Sequence, residues 1–257
     1  MEIGRFIEGQ PCWLELRTSA RREALDFYTG LLEWQYEERE GLTTALIRGR
    51  AVASIVDKTD DSRPDEWITY IAVASVDDAI ERVKEAGGVV LEEAENRPGL
   101  GRVALVADSP GDLAAVMGLM EIGEHQGYEV YYKAGAPYWH ELYSRNFPGT
   151  VKFFEDVYGW KTQNVSDVVG HEYVTLQGEE SGPVAGIMNA SVVLKGNIPA
   201  TWRIYWGVAN AAAQIDVVGH LGGRAASLPT ETNIGAVASV IDPGGARFLI
   251  GSGYPVL

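Results

Sequence analysis

The sequence predicts an α+β protein made of two tandem βαβββ-type modules, and three observations carry that prediction. The stretch "PCWLEL" at Pro11–Leu16 returns as "PYWHEL" at Pro137–Leu142. The repeat keeps its spacing: Trp13 and Trp139, Glu15 and Glu141, Phe27 and Phe153, and Trp34 and Trp160 all stand 126 residues apart (139 − 13 = 126). Later landmarks follow in the same order, "WITYIAV" against "WRIYWGV" (202 − 67 = 135) and "DSPGD" against "DPGGA" (242 − 108 = 134), so the second half carries an insertion.

Each element follows from its periodicity. "CWLELRT" alternates as a half-buried strand does. "SARREALDFYTGLLEW" has Ala24, Phe27, Tyr28 and Leu31 at helical spacing, with Ser19 as its expected cap; "GTVKFFEDVYGW" is its twin, striped by Val151, Phe154 and Val157. "TTALIRG", "VASIVD" and "WITYIAVAS" read as strands, and "VDDAIERVKEAGG" as an amphipathic helix with a Gly-Gly stop. "RVALVAD" and "DLAAVMGL" then flank a tight turn at Ser109–Gly111. The second half repeats this through "VANAAAQIDVVGHLGG" and "GAVASVIDPGGARFLIG". The expected organisation is a first module over 1–120, a linker over 121–136 and a second module over 137–257.

Composition narrows the function classes. At 257 residues and 46% apolar, the chain can bury a real core. No apolar run reaches the roughly 18 residues a membrane span requires, and no signal-peptide pattern opens the chain, so a soluble, cytoplasmic protein is expected. One cysteine, Cys12, forms no internal disulfide. A formal charge of −15 disfavours nucleic acid and anionic membranes as partners. The glycines at Gly99 and Gly101 stand in the wrong order of elements for a dinucleotide fingerprint, and no phosphate-cradling motif is present.

This order of elements, with "FYTGLLEW" and "FFEDVYGW" helices and the "DSPGD" and "DPGGA" turns, resembles the vicinal oxygen chelate superfamily of glyoxalases, bleomycin-resistance proteins and extradiol dioxygenases. Within it, the Trp-x-Glu start resembles a tandem glyoxalase-like branch that is often labelled hydroxylase. The resemblance implies that each module is a curled mixed sheet forming a cup, and that the two are paired as an internal pseudo-dimer. A monomer is then the default, with a homodimer as the alternative.

The resemblance also implies a divalent metal in the cup, held by His and Glu on facing strands. Here the first-strand ligand position falls on Trp13 and Trp139. The middle-strand position falls on Trp67 or Ile68 and on Trp202 or Arg203, and the closing position on Ala115 and Leu249. None of these fillings makes a ligand set, so a metal-free protein without cofactor is expected. Only a one-residue register slip would turn His140 inward.

What remains in the cups is aromatic and acidic. Residues two apart on a strand share a face, so Glu15 accompanies Trp13 and Glu141 accompanies Trp139. Trp13, Trp139, Trp67, Trp202, Tyr70, Tyr205, Arg203 and Arg48 are the candidate ligand-binding residues. Glu15 and Glu141 are the candidate catalytic carboxylates. The competing reading is that the carboxylates merely pair with Arg48 or Arg203 while the tryptophans fill the space of a lost metal. Arg203 replaces Ile68, so the two cups differ chemically, with the second favoured as the site. His140 is expected on the opposite face, His125 and His171 in loops, and Cys12 pointing away from the cup. The sequence thus supports metal-independent binding of a small aromatic or cationic molecule, as in sequestration or self-resistance. Its alternatives are an isomerase, lyase or cyclase with a cup carboxylate as general base, and a partner protein whose cups are solid core.

Overall fold

A computed structural model describes residues 6–39, 42–60, 63–111, 113–123, 127–178, 182–232 and 235–253. His125 falls outside them. The first half runs β1 (Pro11–Thr18), α1 (Arg21–Leu32), β2 (Gln35–Arg39), β3 (Leu42–Ile47), β4 (Arg50–Asp57), β5 (Glu66–Val73), α2 (Val76–Glu85), β6 (Val89–Arg97), β7 (Gly101–Ala107) and β8 (Val116–Glu121). The second runs β9 (Pro137–Ser144), α3 (Phe147–Tyr158), β10 (Thr162–Ser166), β11 (Tyr173–Gly178), β12 (Gly182–Asn189), β13 (Thr201–Gly207), α4 (Ala211–His220), β14 (Arg224–Ala225), β15 (Thr230–Thr232), β16 (Gly235–Ile241) and β17 (Arg247–Ser252).

The two halves form separate mixed sheets, ordered β2-β3-β4-β1-β5-β8-β7-β6 and β10-β11-β12-β9-β13-β17-β16-β14, with β15 also pairing β16. The first order is symmetric about the antiparallel β1/β5 seam, and β9/β13 plays that part in the second. Each half is therefore itself a pair of βαβββ units, and the chain holds four. The strands β2 and β6, and their counterparts β10 and β14–β15, are not among those assigned from the sequence.

Helix ends follow local chemistry. Ser75 caps α2 by accepting from the Asp78 N–H at 3.2 Å, and Gly87, at φ 84°, provides the left-handed stop. Ser19 does not cap α1: its hydroxyl donates to Asp65, and the Thr18 hydroxyl accepts from the Ala20 N–H instead.

The helix-bearing faces of the two sheets meet. On one side Tyr28, Trp34 and Trp67 pack with Trp206 and Phe248; Trp34 stacks on Tyr28 at 5.1 Å and meets Trp206 edge-on at 4.9 Å. On the other, α2 packs with Phe154, Trp160 and Trp202. The connecting stretch is part of this framework, because Tyr128 is buried and its N–H donates to the Cys12 carbonyl. No helix among the described residues is long and apolar enough to cross a membrane.

Candidate functional site: two unequal cups

The open face of each sheet carries the other set of strand residues. On β1, Trp13, Glu15 and Arg17 share that face with Ile68 and Tyr70 of β5; on β9 and β13 the counterparts are Trp139, Glu141, Tyr143, Arg203 and Tyr205. Trp67 and Trp202 are not in the cups. They point to the helix side, where Trp67 Nε1 donates to the Tyr28 hydroxyl at 2.9 Å and Trp202 packs on Phe154. Their strands are buried on both faces, so hydrophobicity does not reveal which residue of each adjacent pair turns inward.

The first cup is filled at its floor, and beside Glu15 it keeps a cavity of about 520 Å³ lined by Arg17, Glu92, Glu95 and Arg97. Trp13, Ile68 and Tyr70 belong to a cluster with Leu42, Val103, Leu105 and Met120, and Trp13 Nε1 donates to Ser54 Oγ at 3.0 Å. Glu15 is fully buried beneath two guanidinium groups: Arg97 donates to both oxygens at 2.8 and 3.1 Å, and Arg17 Nε to one at 3.1 Å. The Tyr70 hydroxyl donates to it at 3.0 Å. A carboxylate so paired is a structural anion, not a free base, which corrects both the catalytic reading of Glu15 and its assumed partner. Arg48 is remote, in the exposed β3–β4 turn, where Arg48 and Gly49 both take positive φ as a two-residue hairpin requires. It lines a separate cavity of about 540 Å³ at the module junction, with Lys133 and Gln214.

A bulge between Pro11 and Trp13 brings Cys12 into the same cluster as Trp13, against the expected alternation. Its thiol lies 3.5 Å from the Tyr70 carbonyl, and burial pushes its pKa up. The equivalent irregularity in β9 places Tyr138 against Tyr205 and Leu249. Strand register also moves one closing position: Leu249 pairs with Tyr205 where Gly118, not Ala115, pairs with Tyr70.

The second cup is open. Of the seven tryptophans, six are buried and Trp139 is partly exposed, as are Tyr143, Tyr173 and Arg203. Trp139 Nε1 donates to the Tyr173 hydroxyl at 3.1 Å, and the Tyr205 hydroxyl to Glu141 Oε2 at 2.6 Å. Burial raises the Glu141 pKa, against the opposing pull of the Tyr205, Tyr173 and Tyr143 hydroxyls. Arg203 is the direct cross-strand neighbour of Glu141, yet among the described residues no carboxylate lies within 4 Å of its guanidinium, so the expected ion pair is absent. The group instead sits 5.6 Å from the Tyr143 ring centre.

Tyr173 was not among the sequence candidates, nor was Arg97; both come from strands outside the repeated first-strand motif. His140 turns to the opposite face, stacked on Tyr128 and Tyr131 with Nε2 3.1 Å from the Tyr128 hydroxyl; burial lowers its pKa to about 3. Exposed His171 belongs to neither cup.

Neither cup fits a divalent cation by its donors. In the first, Glu15 is already neutralised by two arginines, and the second sets Arg203 beside Glu141. Among the described residues, no three His, Cys, Asp or Glu side chains converge to hold a metal ion.

The raised pKa of Glu141 has a testable sign. The folded chain holds this proton more tightly than the unfolded one, so the carboxyl's contribution is full below the ordinary glutamate value of about 4.3 and is lost as pH rises through the folded value. In denaturant titrations from pH 4 to 8, Glu141→Gln is expected to gain stability relative to the native protein as pH rises. A pH-independent difference would contradict the assignment.

Residues 12–114 match the family described as the Glyoxalase/Bleomycin resistance protein/Dioxygenase superfamily, the fold already on view. The match covers most of the first module and shows its similarity to this superfamily. CFP32 of Mycobacterium tuberculosis, provisionally named a glyoxylase, is 28% identical over 255 residues, spanning 95% of each protein. The anthracycline biosynthesis protein DnrV of Streptomyces peucetius is 28% identical over 278 residues, covering 98% of this chain and 97% of that protein. Among solved structures, the Mn(II)-bound glyoxalase of Novosphingobium aromaticivorans superposes with a TM-score of 0.66 at 15% identity, covering 96% of this chain and 83% of that one. Catechol 2,3-dioxygenase gives 0.63 at 10%, covering 98% and 91%. At these identities the structural likeness is one of fold. These relationships fit small-molecule binding or tailoring.

Proposed function

We propose that the second cup binds a small planar aromatic molecule without a metal ion, in a sequestration or tailoring role, while the first cup is structural. The contrast between the cups carries this reading: the same fold buries Trp13 and Tyr70 in its first cup and leaves Trp139, Tyr143 and Tyr173 partly exposed around a buried carboxyl in its second. Aromatic walls with a few directed polar groups are the usual make-up of a small-molecule site. Arg203 makes a cationic ligand unfavourable. The anthracycline biosynthesis relative supports the same ligand class, a planar polycycle.

Titration with anthraquinone-2-carboxylate, followed by tryptophan fluorescence, tests the reading. Saturable quenching is expected in the native protein and its loss in Trp139→Phe, since the other six tryptophans are buried. No quenching, or quenching unchanged in the variant, would contradict it.

A second reading is favoured by one observation, the raised Glu141 pKa. A carboxyl moved toward neutrality suits proton transfer, as in an isomerase, lyase or cyclase. Turnover lost in Glu141→Gln with binding retained supports that role; loss of both makes Glu141 an anchor.

A further inference from the structure

Arg203 is a charge that the fold does not require and that, among the described residues, no carboxylate pairs with. Its counterpart in the first module is Ile68, which occupies the same place opposite the first-strand glutamate. The sheet therefore forms without a guanidinium at this position. In the first cup, Arg17 and Arg97 are held by Glu15, whereas the Glu141 carboxyl is taken up by the Tyr205 hydroxyl.

The surroundings of Arg203 leave it short of negative charge. A guanidinium removed from water needs an anionic or several neutral acceptors. The Tyr143 ring supplies only a cation–π contact, worth about 0.5–2 kcal/mol. Arg247, on the neighbouring strand β17, repels it. Burial, together with that repulsion, lowers the Arg203 pKa to about 10, against the opposing influence of Tyr143 and Tyr205. The half-buried group stands in the open cup, on the same face as the partly exposed Trp139 and Tyr143.

We propose that Arg203 is the anion-recognition residue of the second cup and that the ligand is an aromatic carboxylate. Its two oxygens take the planar guanidinium fork while its ring system lies against Trp139 and Tyr143. The inference rests on the reading of this cup as the aromatic site and adds the charge of the ligand. It also gives the two modules distinct tasks: Glu15 pairs with the arginines of one cup from within, and the ligand supplies the missing carboxylate of the other.

The test compares anthraquinone-2-carboxylate with its neutral carboxamide by calorimetric titration of the full chain, in native, Arg203→Met and Arg203→Lys proteins. The native protein is expected to prefer the acid by about tenfold or more, as a charged hydrogen-bonded pair implies. Arg203→Met should bind both probes alike, and Arg203→Lys should keep part of the preference. Because Arg203 has no ion-pair partner among the described residues to lose, the Met variant should melt at or above the native temperature. Equal native binding of the two probes, a preference that survives Arg203→Met, or a melting temperature clearly below native would each overturn the inference. Failure of the underlying reading looks different: neither probe binds the native protein, and the inference falls with it.

Discussion

Replacing Glu15 by alanine is expected to destabilise the protein by about 3–5 kcal/mol, the usual cost of removing one partner from a buried ion pair. Glu15 is fully buried, and its loss strands the Arg97 guanidinium, which otherwise finds only the Tyr70 hydroxyl at 3.0 Å. Arg17 keeps Glu92, which it binds through two nitrogens, so the penalty falls mainly on Arg97. Urea unfolding measures the effect. Glu15→Leu combined with Arg97→Leu should recover much of the loss, because the pair is then replaced by apolar side chains. The anthraquinone titration should be unchanged in Glu15→Ala, since the second cup lies in the other sheet. A stability loss below about 1 kcal/mol would contradict this account, because Glu15 would then contribute no more than one partner of a surface ion pair.

Trp34→Ala should be similarly severe, about 3–5 kcal/mol as for other large aromatic truncations. Trp34 lies where the two sheets meet: Tyr28 and Trp206 enclose it, and its Nε1 donates to the Gly135 carbonyl at 2.7 Å. The variant loses ring contacts to both modules and leaves that carbonyl without its indole donor. Urea unfolding followed by circular dichroism should show the loss, and a destabilisation below about 1 kcal/mol would contradict the assignment of this seam as the joint between modules.

The repeat was legible because it recurs at constant spacing, and two-residue periodicity correctly places Trp13 with Glu15 and Trp139 with Glu141 on shared faces. Other features were hidden for physical reasons. β5 is apolar on both faces, so its pattern does not distinguish Trp67 from Ile68. The bulge at Cys12 breaks alternation at one residue, which periodicity alone does not signal. β6 is rich in glutamate and largely exposed, reading as a polar loop although it delivers Arg97 to Glu15. Tyr173 reaches the second cup from β11, outside the repeated first-strand motif. The absence of an Arg203–Glu141 ion pair depends on side-chain direction, which cross-strand adjacency does not determine.

The central claim is that the second cup binds a ligand while the floor of the first is packed by its own side chains. A crystal structure of the protein soaked with anthraquinone-2-carboxylate tests it most directly. The account predicts ring density against Trp139 and Tyr143 in the second cup, with Trp13 and Tyr70 undisturbed in the first. Density in the first cup, or only in the junction cavity beside Arg48, would contradict it.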